Sequence, residues 1–194
     1  MNTKELYEIL LSEKPSILLM EREEELFKLI PELETCKGFN QNNEWHIYDV
    51  YEHILHVVDN VPPRLTIRLA ALFHDIGKPA SYREDEKGVG HFYGHWQISE
   101  TIFHNFAKKH KMMPQTENLI SNLIFYHDMN ISRLSKEESS KLYDLLGTNG
   151  LILLYKLKKA DLLAQNEKFH YMLTEFDKEK RKILTMINHN NSSK

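Results

Sequence analysis

Residues 68–82, RLAALFHDIGKPASY, place a histidine and an aspartate side by side at the end of an apolar helical segment. His74 shares a helical face with the apolar residues that precede it by three, four and seven positions. Asp75 follows directly, and Gly77 and Pro79 are the expected stop signal of a helix. An aspartate is almost never fully buried unless it is paired or bound to a metal. The stretch therefore predicts a buried helix that ends in two candidate metal ligands, although a capped or hydrogen-bonded pair would also satisfy them.

The rest of the chain predicts an all-α protein, because Gly and Pro are scarce and apolar residues recur with a period near 3.6. The predicted helices cover residues 3–12, 16–30, 47–59, 63–75, 95–110, 115–127, 136–146, 149–164 and 167–188. Pro62 and Pro63 suit the first turn of the helix that carries the doublet. Residues 79–94 predict a short hairpin or a structured loop, and residues 35–46 a second loop. The tail, residues 189–194, is expected to fray.

Four further predicted helices carry a histidine or an aspartate on, or beside, the apolar stripe that should face inward. These residues are His53, His95, His127 and Asp161. The polar stripe around His53, taken alone, is equally typical of a boundary with solvent. An isolated buried polar group costs on the order of 1–3 kcal/mol, and the net stability of a domain is only about 5–15 kcal/mol. Because one shared metal centre would satisfy all five helices at once, the pattern predicts that they converge on a metal.

The remaining histidines fall into two groups. Three lie close to the candidate ligands in sequence and are expected to donate hydrogen bonds around the site or to contact substrate: His46, His56 and His91. Four follow no such pattern and are expected at the surface: His104, His110, His170 and His189.

Length, composition and charge bound the class of protein. The 194 residues fit a single domain, with N-terminal helices over 1–44, a metal-site core over 45–165, and a C-terminal helix and tail over 166–194. A net charge of −3 does not favour a nucleic-acid partner, although it leaves one possible. The single cysteine, Cys36, permits no internal disulfide and is typical of a reducing cytoplasm. No apolar run reaches the length of a membrane span. No feature indicates an oligomeric state.

The ordered set of motifs resembles the HD superfamily of metal-dependent phosphohydrolases. The segments that carry the likeness are EHILH, LAALFHDIGKP and KKADLLAQN. Two more segments, GHFYGHWQISE and LIFYHD, are similar to the HD domain of bacterial tRNA nucleotidyltransferases. The resemblance covers about residues 45–165 and implies a compact multi-helix bundle. The sequence lacks the glycine-serine motif and paired aspartates of a polymerase-type head, so the hydrolase module is expected to act alone and tRNA end repair is not expected.

The resemblance implies a metal site built from six residues. A first divalent ion would be held by His53, His74, Asp75 and Asp161. A second ion would be held by His95 and His127, with Asp75 bridging the two. Mixed imidazole and carboxylate ligands suit one or two ions of Mn, Fe, Ni, Co or Zn, with Mg a further candidate.

The same resemblance implies phosphomonoesterase or phosphodiesterase activity on a nucleotide or related small phosphate ester, through a metal-activated water. Asp75 and Lys78 are the expected catalytic residues. Lys78 would also meet the substrate phosphate as a point charge, with Arg83 and His91 as further substrate contacts. A lysine at a helix C-terminus is also favoured by the helix dipole alone. Asp128 would support the ligands or carry a proton.

Two other classes of function remain open at this point. A di-iron oxygenase could use the same ligands, and iron content together with oxygen uptake would distinguish it. A non-catalytic module could hold a structural metal and bind RNA or a partner protein. The ligand set argues against the module, because a structural site needs no open coordination position.

Overall fold

The computed structural model describes residues 1–191, and the described chain is all-α, as predicted, apart from one two-stranded hairpin. The helices are α1 (Thr3–Leu10), α2 (Pro15–Glu21), α3 (Glu23–Leu29), α4 (Glu32–Cys36), α5 (Val50–Asn60), α6 (Leu65–Phe73), α7 (Lys78–Ser81), α8 (His95–Lys109), α9 (Pro114–Tyr126), α10 (Lys136–Leu163) and α11 (Leu173–Asn191). Short 3-10 helices cover Ile131–Arg133 and Glu167–Met172. The tail that was expected to fray lies partly in α11, and its residues 192–194 are outside the described part of the chain.

Helix α6 lies at the centre of the molecule. Every residue from Ile67 to Phe73 is buried, and the helix packs against α1, α5, α8, α9 and α10. A helix that is apolar on all sides needs such a central place. Its one charged residue, Arg68, is satisfied by carbonyl oxygens: the guanidinium donates to Val61 at 3.0 Å and to Leu10 at 3.3 Å. The metal-ligand candidates are therefore anchored to the most buried segment of the fold.

The start and the stop of α6 differ from the prediction. The helix begins at Leu65, so Pro62 and Pro63 lie just before its first turn and not within it. Gly77 is not a left-handed stop residue, because its φ is −82°. A Cβ at this position would lie 2.5 Å from the carbonyl oxygen of His95 and 2.7 Å from the amide nitrogen of Ser99. Glycine is needed here because the chain passes directly against the first turn of α8.

Two breaks between consecutive helices, at Arg22 and at Gly147, bear on the predicted boundaries. The predicted helix over 16–30 is two helices, which break at Arg22 (φ −115°, ψ 30°). The guanidinium of Arg22 binds Glu5 at 3.2 Å and Glu25 at 2.7 Å, which fixes the break. The two helices predicted over 136–146 and 149–164 are confirmed, because α10 is interrupted at Gly147, whose φ is 61°.

The hairpin predicted within residues 79–94 is also confirmed. Strands β1 (Arg83–Glu84) and β2 (Gly90–His91) pair antiparallel, with Arg83 opposite His91. The first residues of this segment were expected to be non-helical, but they form α7, whose first turn accommodates Pro79. The loop predicted over 35–46 begins inside α4 and is irregular beyond it. Within residues 1–191, no helix has the length and apolar character needed to span a membrane.

Candidate metal centre

Helix ends bring three histidines of the cluster into place in the same way. His74 and His127 each follow the last residue of a helix, α6 and α9, and His95 begins α8. In each case Nδ1 donates to the carbonyl oxygen three residues earlier, at 2.7 Å for His74, 2.7 Å for His127 and 2.8 Å for His95. This bond keeps the proton on Nδ1 and leaves the lone pair of Nε2 for a ligand. In this tautomer each of the three rings could coordinate a metal ion.

Four ligand atoms converge in a first group. It contains His53 from α5, Asp161 from α10, and the doublet His74–Asp75. The Nε2 atom of His53 lies 3.0 Å from Oδ1 of Asp161 and 3.3 Å from Oδ2 of Asp75. The Nε2 atom of His74 lies 3.2 Å from the same Asp75 oxygen. The structure thus brings together the four residues that the resemblance implies for a first ion.

A second group uses the other oxygen of the same aspartate. Oδ1 of Asp75 lies 3.1 Å from Nε2 of His95 and 3.5 Å from Nε2 of His127. The two imidazole nitrogens are themselves 3.2 Å apart. Because Oδ2 of Asp75 faces the first group and Oδ1 the second, its carboxylate has the arrangement of a bridging ligand.

The donors of this cluster fit a divalent ion. Nε2 of His53 and Nε2 of His74 are buried and form no hydrogen bond with acceptable geometry, although both lie close to carboxylate oxygens. A buried polar atom without a partner costs about 1–3 kcal/mol. An ion at the point where these atoms meet would satisfy them, and imidazole with carboxylate suits transition-metal dications. The buried His/Asp cluster could therefore hold a divalent metal.

Burial and mutual attraction pull the pKa values of the cluster in opposite directions. Burial alone would raise the pKa of Asp75, but the neighbouring His74 and Lys78 hold it well below its usual value. Burial lowers the pKa of His74. It also acts to lower the pKa of His53, but the nearby carboxylates of Asp161 and Asp75 outweigh it and raise that pKa to about 9. The metal-free cluster is therefore anionic at its carboxylates and holds a proton on His53 at neutral pH.

Lys78 is buried against the same carboxylate. Its Nζ atom lies 2.6 Å from Oδ2 of Asp75 and donates to Oε1 of Gln41 at 2.8 Å. His46 lies 3.5 Å away from Nζ, and burial together with the Lys78 charge lowers the pKa of His46 to about 2. His46 thus lies beside Lys78 at the cluster, and its predicted role as a hydrogen-bond donor or substrate contact stays a prediction. Gln41 was missed, because an amide in an irregular loop has no periodicity or motif that marks it.

A cavity of about 220 Å³ opens onto the cluster. Asp75, Lys78 and Asp161 form part of its lining, together with His91 and the half-exposed side chain of Asp128. The aromatic segment Phe92, Tyr93 and Trp96 and the side chain of Gln165 also border it. None of these four side chains was predicted to border the site, although three lie in the segment GHFYGHWQISE and Gln165 lies in KKADLLAQN.

Several candidates lie elsewhere. Arg83 is exposed, does not line the cavity, and donates to the carbonyl oxygen of Tyr82 at 2.7 Å. His56 is exposed and stacks on Tyr48.

The four histidines that were expected at the surface divide into two pairs. The prediction holds for His104 and His189, which are exposed. It is wrong for His110 and His170, which are half-buried. His110 is held inward because its Nδ1 meets the Thr3 hydroxyl at 2.7 Å. The Nε2 atom of His170 is enclosed by protein.

Comparison with known proteins adds two findings. A family model described as HD domain matches residues 44–166. A CC-adding tRNA nucleotidyltransferase from Thermus thermophilus is 36% identical over 107 residues, which cover 51% of this chain and 24% of that protein. The match thus spans about a quarter of the relative's length, and the family model covers all six residues of the cluster.

Proposed function

The chain belongs to the HD domain family, and from this premise we propose that it is a metal-dependent phosphohydrolase acting on a nucleotide or a related small phosphate ester. The observation that carries the proposal is the Asp75 carboxylate, which lies between two groups of buried imidazoles beside a cavity. A nucleotidyltransferase among the similar proteins supports a nucleotide-like substrate, but only a quarter of that protein is matched. Its reaction is therefore not transferred to this chain.

Six side chains would hold the ions. His53, His74, Asp75 and Asp161 would hold a first divalent ion, and Asp75, His95 and His127 a second, which the proximity of their ligand atoms supports. Bound ions would supply Lewis-acid polarisation of a phosphoryl oxygen and a water of lowered pKa.

Lys78 would contact the substrate phosphate. Its ammonium borders the cavity, and the Gln41 amide oxygen fixes its position at 2.8 Å. A buried lysine is a compact point charge, which suits a phosphate oxygen. Asp75 would be shared between the ions and Lys78, whose Nζ lies 2.6 Å from Oδ2, and the ammonium would supply the positive charge for a phosphate oxygen.

Asp128 is placed to carry a proton. Its carboxylate is 55% exposed at the cavity, and Oδ2 lies 3.9 Å from Nε2 of His95. A carboxylate between solvent and the ligand set can accept the proton of the attacking water and return it to the leaving oxygen. The buried carboxylates of Asp75 and Asp161 are less suited to this task, because they face the imidazoles.

Hydrolysis of defined phosphate esters by the reconstituted protein tests this function. Protein loaded with Mn²⁺, Fe²⁺ or Zn²⁺ is assayed against nucleoside monophosphates, cyclic nucleotides and dinucleoside polyphosphates. We expect metal-dependent hydrolysis of at least one class, and we expect Asp75→Asn to abolish it and to lose most of the bound metal. His104→Ala changes an exposed histidine outside the cluster and should retain both properties. Oxygen uptake by the iron-loaded protein without any phosphate-ester hydrolysis would contradict the proposal and favour an oxygenase.

A further inference from the structure

The cavity beside the metal cluster is small for a whole nucleotide. Its volume is about 220 Å³, whereas pockets that enclose a drug-sized ligand span roughly 300–1,000 Å³. The cavity can therefore take the phosphoryl group, and the remainder of a ligand must lie at its mouth. Residues 90–93, 95 and 96 line the cavity, and the one exposed residue among them, Tyr93, marks its mouth.

This segment is rigidly tied to the metal ligands. The ring of Phe92 packs on Tyr82 with centroids 5.5 Å apart, and Tyr82 meets Phe39 edge-on at 5.4 Å. The carbonyl oxygen of Phe92 accepts the backbone N–H of His95 at 3.1 Å and its Nδ1–H at 2.8 Å. The position of Tyr93 relative to His95 is therefore fixed by hydrogen bonds and ring packing.

Tyr93 takes no part in that packing. Tyr93 is 78% exposed, which is the highest value among the exposed large hydrophobic residues of the described chain. Its ring lies parallel to the imidazole of His91, with an interplanar angle of 6° and centroids 5.5 Å apart. His91 is itself held by Asp85, whose Oδ2 lies 3.1 Å from Nε2. A flat, oriented aromatic face is thus presented to solvent at the mouth of the cavity.

We propose that Tyr93, supported by His91, is the platform on which the base of a nucleotide stacks while its phosphoryl group lies beside Lys78 and Asp75. The inference rests on the proposed function and names its substrate class. Stacking suits this surface because every nucleobase has a π-face that an aromatic ring can cover. A sugar phosphate without a base would fill the same cavity but would leave the Tyr93 ring uncovered.

A matched pair of ligands tests the platform. The affinities of the Mn²⁺-loaded protein for adenosine 5′-monophosphate and ribose 5-phosphate are measured by calorimetry, or as kcat/KM where either is hydrolysed. Base stacking is expected to favour the nucleotide, and Tyr93→Ala should weaken its binding by about 5- to 150-fold, with ribose 5-phosphate unchanged. Tyr93→Trp should retain the preference. Tyr171→Ala is the control, because Tyr171 is 68% exposed but does not line the cavity.

The outcomes separate this inference from the proposed function. Retention of the base preference in Tyr93→Ala, an equal loss for both ligands, or no preference in the parent protein would each overturn the platform. If the protein hydrolyses no phosphate ester yet binds the nucleotide through Tyr93, the proposed function fails and the platform stands. The protein could instead hydrolyse a phosphate ester while the parent shows no base preference or Tyr93→Ala retains it. In that case the platform fails and the proposed function stands.

Discussion

At the scale of single residues, the cluster is prepared by short-range hydrogen bonds. His74, His95 and His127 each use Nδ1 to bind a carbonyl oxygen three residues earlier, so that Nε2 faces the common centre. Spacing along the helices was enough to predict all three as candidates, because a polar residue on an apolar face is visible in a sequence. It could not show which nitrogen is free, since that depends on how the backbone turns at the helix end.

The hydrogen bond between Lys78 and Gln41 could not be predicted from the sequence. The lysine follows Asp75 by three positions, but its partner Gln41 is 37 residues earlier in an irregular loop. Local patterns carry no information on such a contact, because it is created by tertiary packing of α4 against α7.

Substituting Lys78 by methionine tests its role toward phosphate. We expect kcat/KM for the hydrolysed ester to fall about 10- to 150-fold, because a hydrogen bond to a charged group contributes about 1.5–3 kcal/mol. Metal content should not decrease, since removal of a cation 2.6 Å from Asp75 leaves that carboxylate more available to an ion. Lys141→Met removes an exposed lysine from α10 and is the control. Loss of metal with unchanged kcat/KM of the loaded fraction would mean that Lys78 only shapes the site.

The proton on His53 makes metal affinity depend on pH. Burial acts to lower the pKa of this imidazole, but the nearby carboxylates of Asp161 and Asp75 raise it to about 9. A metal binds only the neutral ring, so each first ion must displace about one proton at neutral pH. Affinity is therefore expected to rise about tenfold per pH unit up to about pH 9. Competition with a chelator of known affinity measures it, and a constant affinity between about pH 6.5 and 8.5 would refute the linkage.

At the scale of secondary-structure elements, the turn that follows α6 and carries His74 and Asp75 depends on its contact with α8. Gly77 donates its N–H to Oγ of Ser99 at 2.9 Å, and its Cα passes against the backbone of the first helical turn. A glycine after a helix is usually interpreted as a stop signal, and that interpretation is wrong here because the residue's φ is −82°. The sequence showed the glycine but not the neighbour that requires it.

Gly77→Ala tests this contact. The added Cβ would lie 2.5 Å from the carbonyl oxygen of His95, so α8 must shift. We expect a loss of about 1–3 kcal/mol in the free energy of unfolding, measured in urea, and a weaker second metal site because His95 moves. Gly88→Ala is the control: its added Cβ meets nothing closer than 3.8 Å, but its φ is +77°. In that variant we expect the free energy of unfolding to fall only by the backbone strain, about 1–2 kcal/mol, and the metal content to stay full. Full metal binding by Gly77→Ala would show that α8 tolerates the shift.

At the scale of the whole molecule, the cluster joins α5, α8 and α10 to the ends of α6 and α9. The sequence predicted that five helices converge, because five separate polar burials would otherwise consume much of the stability of a domain. The division of the two oxygens of Asp75 between the groups was implied only by the resemblance to the HD superfamily. That division depends on the relative placement of α5 and α8, which no local period encodes.

The number of metal ions bound per chain tests the central claim, that the cluster is a two-ion centre bridged by Asp75. The protein is reconstituted with excess Mn²⁺ or Fe²⁺, freed of unbound ion, and analysed by plasma mass spectrometry beside the His95→Ala/His127→Ala double variant. We expect about two ions per chain in the parent, and about one in the double variant, whose first group is intact. A parent that holds one ion or none, or a double variant that still holds two, would contradict the claim.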